Sequence, residues 1–411
     1  MNKNIVKENS HFQFIECDAA DTVTVVFAAR NDRPPKFTFW KAANAMNSHV
    51  ILLNSDVPEW YRAGIPGISG GIRGAVKAIT DFKNTVKASR LVMTGSSMGG
   101  YGALLYGSMA KADHVLAFGV EPLLGIPGGK TDITRNHLQY MYPDLTSLSL
   151  PPSTVYYGGM DINDILGAWL LRKRRNSEIV CIPEAQHDTP DFLARHGLLN
   201  SVFADIITGK KISTYEYGQG DAANDEIVDF LWKLNNQLVE KDWTAIRKKI
   251  SHSEHLTSNS PLLEYLYGIA HFRNHDFNNA YKALNTLTMR IPGYWEAWMN
   301  LGAVNLKLGN IDEAIKSCSN AIKLRPHRSI AHIQLSHIYS KAGSNDLAFE
   351  HAQWACKLNY SRPEYFDALA KTAALANKSV PDKENYAVQY NENVKAAQSK
   401  FSDYNFYTKK A

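Results

Sequence analysis

Residues 90–107 read RLVMTGSSMGGYGALLYG, and this stretch decides the fold of the first half of the chain. RLVMT (90–94) is an apolar run that ends at a glycine, which predicts a buried β-strand. The Gly-rich residues 95–100 predict a tight turn, and the apolar residues after them predict a helix that continues to about Lys111. The pattern is therefore strand, turn and helix, with GSSMG (95–99) at the turn.

A serine at the centre of Gly-x-Ser-x-Gly on such a turn is typical of a catalytic nucleophile. Because the turn is sharp, the positions two residues before and after the serine have no room for side chains. Gly95 and Gly99 meet that demand around Ser97, whereas Ser96 lacks such glycines. The sequence therefore predicts Ser97 as the nucleophile, with the backbone N–H of Met98 facing the oxyanion that forms during attack.

The nucleophile needs a general base and an acid that orients the base, and around this kind of turn they follow in the order Ser, Asp, His. Asp161 closes TVYYGGMD (154–161), a predicted strand with a Gly-rich turn, and is the predicted acid, although it could instead cap the helix that follows. His187 lies on a loop after the predicted strand EIVCI (178–182) and is the predicted base. Rival candidates are Asp164 and Glu121 for the acid, and His114, His137 and His196, which are weaker, for the base.

Residues near the predicted nucleophile suggest how a substrate would be held. The second oxyanion donor is expected after the strand VTVVFAA (23–29), from the backbone N–H of Ala29 or Arg30. The Arg30 guanidinium would also suit an anionic substrate group, although it is equally well explained as a solvated loop residue. Trp60 and Tyr61 follow the next predicted strand and would stack on a sugar or pack in the core.

The first half alternates short apolar runs with helical patterns, which predicts an α/β fold with a mostly parallel sheet flanked by helices. A Gly/Pro-rich segment, 121–153, is placed where it could cover a site, and the polar segment 212–225 is the predicted linker. The predicted divisions are an α/β domain (1–211), this linker, a helical connector (226–260) and an all-α helical repeat domain (261–411). The predicted strands are 23–29, 50–54, 90–94, 114–120, 154–157 and 178–182.

The second half repeats with a period of 34 residues. Small residues recur at positions 8 and 20 of the unit, which lets two antiparallel helices approach closely, and a proline ends the second helix. In the clearest unit, the pattern residues are Trp298, Leu301, Gly302, Ala314, Ala321 and Pro326. One further unit precedes the clearest one and starts near Pro261, and another follows the clearest one after a shift of 34 residues.

Two family resemblances follow from these motifs. TGSSMGGYGALLYG (94–107), with GGMD (158–161) and AQHD (185–188), resembles the α/β-hydrolase superfamily over about residues 20–210. Within it, SMGGYGAL (97–104) is similar to bacterial esterases and to α/β-hydrolase-type proteins that acetylate glycans, including capsule O-acetyltransferases. The 34-residue pattern resembles the tetratricopeptide (TPR) repeat over about residues 261–375.

The first resemblance implies acyl-ester chemistry through a Ser-His-Asp triad and an acyl-enzyme, and it hints at an O-acylated carbohydrate as substrate. The protein would be a serine esterase if water accepts the acyl group, and an O-acyltransferase if a sugar hydroxyl does. No cofactor or metal is expected, but acetyl-CoA would serve as acyl donor for a transferase. The repeats imply docking of a protein partner in their groove. The alternative to an enzyme is a binding protein, in which the TPR repeats form a non-catalytic adaptor or scaffold.

Composition limits the remaining possibilities. A chain of 411 residues is too long for one core and predicts two or three domains. The formal net charge of +5 is small and does not suggest nucleic-acid binding. The four cysteines show neither metal-type spacing nor a disulfide framework, and no apolar stretch is long enough to span a bilayer. We expect a cytoplasmic protein, in which exposed repeat ends would allow a homo-oligomer.

Overall fold

The computed structural model describes residues 2–55, 60–126, 128–129, 131, 142–174, 176–210, 223–380 and 390–401. The chain divides into two compact units, Met1–Glu240 and Lys241–Ala411. Within the described residues, no helix is long and apolar enough to cross a membrane. The predicted linker falls almost wholly outside the described residues, and the predicted connector 226–260 is divided between the two units.

The first unit is built on one mostly parallel sheet, as predicted from the sequence. Among the described residues, eight strands follow the spatial order β1-β2-β4-β3-β5-β6-β7-β8. β1 and β2 run antiparallel to their neighbours, and all the other pairings are parallel. The strands are β1 (Lys3–Glu8), β2 (Phe12–Cys17), β3 (Thr22–Phe27), β4 (His49–Leu53), β5 (Arg90–Ser96), β6 (His114–Phe118), β7 (Ser153–Gly158) and β8 (Ser177–Ile182).

Helices cover both faces of this sheet because side chains alternate along each buried strand. On β5, Leu91 and Met93 belong to one apolar cluster, which includes the apolar residues of α2 and α3. Val92 points to the opposite face and joins a cluster with residues of α5 and α6. The helices are α1 (Trp40–Ala45), α2 (Gly71–Thr85), α3 (Met98–Ala110), α4 (Ile162–Arg172), α5 (Thr189–Arg195), α6 (Leu199–Thr208) and α7 (Asp225–Glu240).

The helix α7 belongs to the first unit, although the sequence suggested a connector there. Trp169 on α4 donates its indole N–H to the Asp225 carboxylate at 2.5 Å. Ile227, Leu231 and Leu234 on α7 are buried. The compact first unit therefore continues past the predicted linker as far as Glu240.

The second unit is an array of paired helices with the predicted period. First helices begin 34 residues apart, at Pro261, Trp295, Ser329 and Pro363. A Cβ added to Gly302 would lie 2.4 Å from the Cys318 sulfur, so the helices of this pair approach as closely as predicted. The helices are α8 (Trp243–Ser251), α9 (Glu254–Asn259), α10 (Pro261–Arg273), α11 (Phe277–Arg290), α12 (Trp295–Leu308), α13 (Ile311–Leu324), α14 (Ser329–Lys341), α15 (Asn345–Leu358), α16 (Pro363–Ala376) and α17 (Tyr390–Phe401).

Candidate active site

Ser97 occupies the bend between β5 and α3 in a backbone conformation that L-residues rarely adopt. Its φ is 57° and its ψ is −119°. Its N–H donates to the carbonyl of Phe118, at the end of the neighbouring strand β6, at 2.8 Å. A strained conformation of this kind costs about 1–3 kcal/mol and is held only where the surrounding structure fixes it. Ser96, by contrast, is the last residue of β5.

The glycines on either side of Ser97 are required by close backbone contacts. A Cβ on Gly95 would lie 2.3 Å from the carbonyl carbon of Gly99. A Cβ on Gly99 would lie 2.2 Å from the carbonyl oxygen of Phe27, at the end of β3. Both distances are far below a normal contact between carbon and a heavy atom. The bend therefore cannot form in this way with any other residue at either position.

His187 is held by Asp164. The Nδ1 atom of His187 lies 2.6 Å from Oδ1 of Asp164, whose other oxygen accepts the N–H of Gly158 at 3.0 Å. Asp164 is only 1% exposed. Burial raises the pKa of Asp164, the charge of His187 opposes this change, and the nearby carboxylate of Asp161 reinforces it. A carboxylate at Nδ1 places the proton on that nitrogen and leaves Nε2 as the basic atom of the ring.

Asp161, the acid predicted first, has a different position. It is the N-cap of α4, and its Oδ1 accepts the backbone N–H groups of Asn163 and Asp164 at 2.9 and 3.0 Å. Capping of this type stabilises a helix by about 1 kcal/mol. The contact with His187 that was predicted for Asp161 is thus made by its rival Asp164, three residues further along.

The bend and the His187–Asp164 pair adjoin one point at the carboxyl end of β6. Phe118 accepts the N–H of Ser97, and Gly119 follows it directly. A Cβ on Gly119 would lie 2.9 Å from Nδ1 of His187 and 3.1 Å from Oδ2 of Asp164. Gly119 also has a φ of +54°. The absence of a side chain at this residue therefore makes room for the imidazole ring.

In the loop after β3, one of the two backbone N–H groups predicted to bind the oxyanion already donates a hydrogen bond within the loop. The N–H of Ala29 donates to the Thr38 hydroxyl at 2.7 Å, and this hydroxyl donates to the Asp32 carboxylate. Asn54 closes the same loop through its side-chain amide, which donates to the carbonyls of Asp32 and Lys36. The structure therefore does not support Ala29 as an oxyanion donor, and Arg30 remains the prediction for the second amide.

The residues predicted to hold substrate differ in exposure. Tyr61 is fully buried, and its hydroxyl donates to the carbonyl of Ala28 at 2.8 Å. Trp60 is also buried and meets the ring of Tyr101 edge-on. Both are core residues, so the predicted stacking on a sugar is not supported. Arg30 is exposed on its loop.

The other candidates for acid and base also have definite places. Glu121 is buried and accepts a hydrogen bond from the Thr131 hydroxyl at 3.1 Å. His114 begins β6 and contacts the Thr154 hydroxyl. It therefore lies at the end of β6 opposite to Phe118, which is the end next to Ser97. His196 stacks on Phe192 and contacts its carbonyl oxygen. His137 lies outside the described residues.

One group of possible metal-ligand atoms falls at this site. Asp161, Asp164 and His187 each place a ligand atom within 4.8 Å of the other two. Their contacts explain this proximity without a metal, since His187 and Asp164 are hydrogen-bonded and Asp161 caps a helix. We interpret the group as an imidazole with a buried partner carboxylate and a second carboxylate nearby.

Comparison with known proteins identifies the repeats. Residues 295–328 match the family model of the tetratricopeptide repeat. The match spans one predicted unit and coincides with the helix pair α12 and α13. The second unit of the chain therefore contains a TPR repeat, as predicted. No curated protein matches the chain.

Several solved structures resemble parts of the chain. The capsule O-acetyltransferase of Neisseria meningitidis serogroup A is 16% identical, with a TM-score of 0.38, over 49% of this chain and 93% of the other. MamA from Desulfovibrio magneticus RS-1 is 18% identical, with a TM-score of 0.35, over 44% of this chain and 99% of the other. The TPR2B domain of yeast Sti1 in its pHsp70 complex is 25% identical, with a TM-score of 0.26, over 27% of this chain and 94% of the other.

Proposed function

We propose that the first unit is an α/β-hydrolase-fold serine enzyme that carries an acyl group on Ser97. The observation that carries the proposal is the strained Ser97 at a strand-to-helix bend, which adjoins the same end of β6 as a histidine held by a buried aspartate. Serine, aspartate and histidine also occur along the chain in the order of this class. In this proposal the triad is Ser97, His187 and Asp164, with Asp161 as helix cap.

In the first half-reaction, Nε2 of His187 takes the proton of Ser97 while the serine oxygen attacks the ester carbonyl carbon. Asp164 keeps Nδ1 protonated and stabilises the imidazolium that forms. The oxyanion accepts hydrogen bonds from the first amide of α3, that of Met98, and from the loop after β3. When the intermediate collapses, the bond to the leaving alkoxide breaks, and the imidazolium returns its proton to that group. An acyl-serine remains.

In the second half-reaction, His187 takes a proton from the acceptor while the acceptor oxygen attacks the acyl carbon. The bond between the acyl carbon and the Ser97 oxygen then breaks, and the imidazolium returns its proton to that oxygen. Water as acceptor makes the protein a carboxylic ester hydrolase, and a sugar hydroxyl makes it an O-acyltransferase. For a transferase, acetyl-CoA would be an acyl donor and a glycan the acceptor. An O-acylated carbohydrate is the substrate class that the sequence resemblance suggests for either outcome.

The proposal is tested with a panel of acyl donors, including simple esters, acylated sugars and acetyl-CoA, followed by mass spectrometry of the intact protein. We expect at least one donor to add the mass of its acyl group to a single site. Release of the group by added sugar faster than by water would assign a transferase. If neither an adduct nor turnover is found with any donor, the adaptor hypothesis becomes the better account of the chain.

Gly119 provides a test of where His187 must lie. Substitution Gly119→Ala would push a Cβ against the imidazole, and a displacement of about 1 Å at a catalytic group costs on the order of 100-fold in rate. The matched control is Gly197→Ala, because Gly197 also has a positive φ (71°) but an added Cβ there meets nothing within 4 Å. We expect kcat/KM to fall about 100-fold in the first variant and less than 2-fold in the second. Equal losses would contradict this placement.

The extent of the catalytic unit can be tested by truncation. A chain ending at Glu240 keeps α7 and should retain the esterase activity of the full chain. A chain ending at Lys210 loses α7 and the buried Ile227, Leu231 and Leu234, so we expect its Tm to fall by about 10 °C. Calorimetry and ester hydrolysis of both chains check this. Loss of activity in the chain that ends at Glu240 would show that the catalytic unit needs the repeats.

For the second unit we propose a docking role. Tetratricopeptide repeats commonly stack into concave surfaces that bind other proteins. The repeat match and the regular helix pairs of residues 261–376 support this role. The repeats would then bring the enzyme to a protein partner, while the chemistry stays in the first unit.

A further inference from the structure

The last described helix, α17, lies on one surface of the repeat array. Its buried residue is Ala397, and Val394 and Phe401 pack beside it on Trp354 and Leu358 of α15. These three residues of α17 occupy positions i, i+3 and i+7. This is the spacing with which an amphipathic helix places its apolar side chains into a groove on another protein.

Phe401 is the main anchor of this contact. Its ring centre lies 5.0 Å from that of His332, 5.8 Å from that of His351 and 5.4 Å from that of Trp354. An aromatic ring surrounded by other rings is typical of the residue that dominates a peptide interface. The structure thus shows an aromatic socket, formed by His332, His351 and Trp354, with Phe401 in it.

The two histidines of the socket are fixed by hydrogen bonds. Nε2 of His332 contacts the carbonyl oxygen of Pro326 at 2.9 Å, so this nitrogen must carry a proton. Nδ1 of the neutral His332 is then an acceptor, and Nδ1 of His351, 3.1 Å away, donates to it. Both rings are neutral in this arrangement, and their orientation is determined without any contribution from Phe401. The socket is therefore built into the repeat pair α14 and α15.

Polar contacts set the direction of the bound helix. Lys400, next to the anchor, pairs with Glu350 at 2.5 Å, and its ammonium lies 5.8 Å from the ring centre of Trp354. Asn393 donates to the carbonyl oxygen of Lys357 at 3.2 Å, near the other end of the contact. Glu350 therefore recognises a base beside the aromatic anchor.

Helix α17 itself is a weak occupant. It has 12 residues, and helices of this length are marginal on their own in water. Most of its remaining described surface, including Lys395 and Gln398, is exposed. Its attachment therefore depends on three apolar side chains, the hydrogen bond from Asn393 and one exposed ion pair. The exposed ion pair contributes little.

We infer that the surface formed by His332, Glu350, His351, Trp354 and Leu358 is a helix-docking site, which α17 fills in cis and from which a partner helix displaces it. The partner is a helical segment of another protein with an apolar residue at i, a small residue at i+3, a base at i+6 and an aromatic residue at i+7. This inference rests on the docking role proposed for the repeats and is independent of the acyl chemistry.

The test uses a fluorescent peptide with the sequence of α17, YNENVKAAQSKF, and a chain that ends at residue 389. In the full chain, the tethered helix competes at an effective concentration of about 1 mM. We therefore expect the peptide to bind the shortened chain at least about 10-fold more tightly than the full chain, measured by fluorescence anisotropy. Equal affinities, or no saturable binding to the folded shortened chain at 1 mM peptide, would overturn the inference.

Charge reversal makes the test specific. In the shortened chain, Glu350→Lys should weaken binding of the natural peptide, and a peptide with Lys400→Glu should restore it. The matched control peptide carries Lys395→Glu, at an exposed position of the same helix, and should bind like the natural one. If the Lys395→Glu peptide restores binding to the Glu350→Lys chain as well as the Lys400→Glu peptide does, the peptide binds by charge alone and the assigned site is wrong.

Two further measurements keep the result decisive. If the shortened chain does not fold, full-length Phe401→Ala replaces it, because removal of the anchor alone should raise peptide affinity. Sedimentation of both chains tests for a second copy as the occupant. Dimers of the full chain that dissociate when the peptide is added would assign the surface to self-association and would overturn the assignment to a partner protein.

Discussion

Substitution Ser97→Ala is expected to abolish acyl-ester hydrolysis, with a fall in kcat of about 1,000-fold or more. The physical reason is that no other group in the proposed mechanism can form the acyl bond, and only binding and oxyanion stabilisation remain in the variant. The measurement is the steady-state rate on a simple ester such as p-nitrophenyl acetate, with the variant's fold checked by circular dichroism.

The neighbouring serine supplies the control for this experiment. Ser96 ends β5 and lacks the flanking glycines and the strained backbone of Ser97. We expect Ser96→Ala to keep the activity within about 5-fold of the wild type, since any change would be indirect. If the Ser96 variant loses activity while the Ser97 variant keeps it, the assignment of the nucleophile is wrong.

The second large effect is expected at Asp164. Substitution Asp164→Asn keeps the shape of the side chain but replaces the oxygen that fixes the tautomer of His187, and an analogous change in a serine protease lowers kcat about 10,000-fold. We expect a fall of 1,000-fold or more here, measured on the same ester. The loss should be in kcat, because the buried Asp164 acts on His187 and has no part in substrate binding.

Asp161→Asn is the matched variant for this prediction. Asparagine caps helices as well as aspartate does, so α4 should remain capped while the charge is lost. We expect a change below about 10-fold, because a nearby carboxylate without a hydrogen bond to His187 contributes only a screened charge. A larger effect at Asp161 than at Asp164 would return the acid role to the residue predicted first.

Local sequence patterns were sufficient for much of this architecture. The apolar strand and Gly-rich turn of residues 90–100 predicted the bend at Ser97, because the steric demand lies within a few residues of the serine. The 34-residue period predicted the helix pairs because the pattern of each pair lies within a single repeat unit. Two strands at the sheet edge, β1 and β2, were missed, since their mixed composition does not form an apolar run. Alternation in FQFIEC (12–17) was the available signal for β2.

Side-chain partners across the sheet could not be predicted in the same way. Asp161 and Asp164 follow one strand, and only the start of α4 decides that the first caps the helix and the second meets His187. The alternative interpretation of Asp161 as a helix cap is the one that the structure confirms, and it leaves Asp164 to meet His187. The burial of Tyr61 depends on contacts with β3 and α3, which no local pattern reveals. The place of Gly119 beneath His187 is likewise a tertiary property.

Peptide mapping after treatment with a fluorophosphonate identifies the serine that reacts with an acyl-type electrophile. We expect a single adduct on Ser97 in the wild-type protein, and much slower labelling in the Asp164→Asn variant. An adduct on Ser96 or elsewhere, or no adduct in a protein whose fold is intact, would show that Ser97 is not the nucleophile.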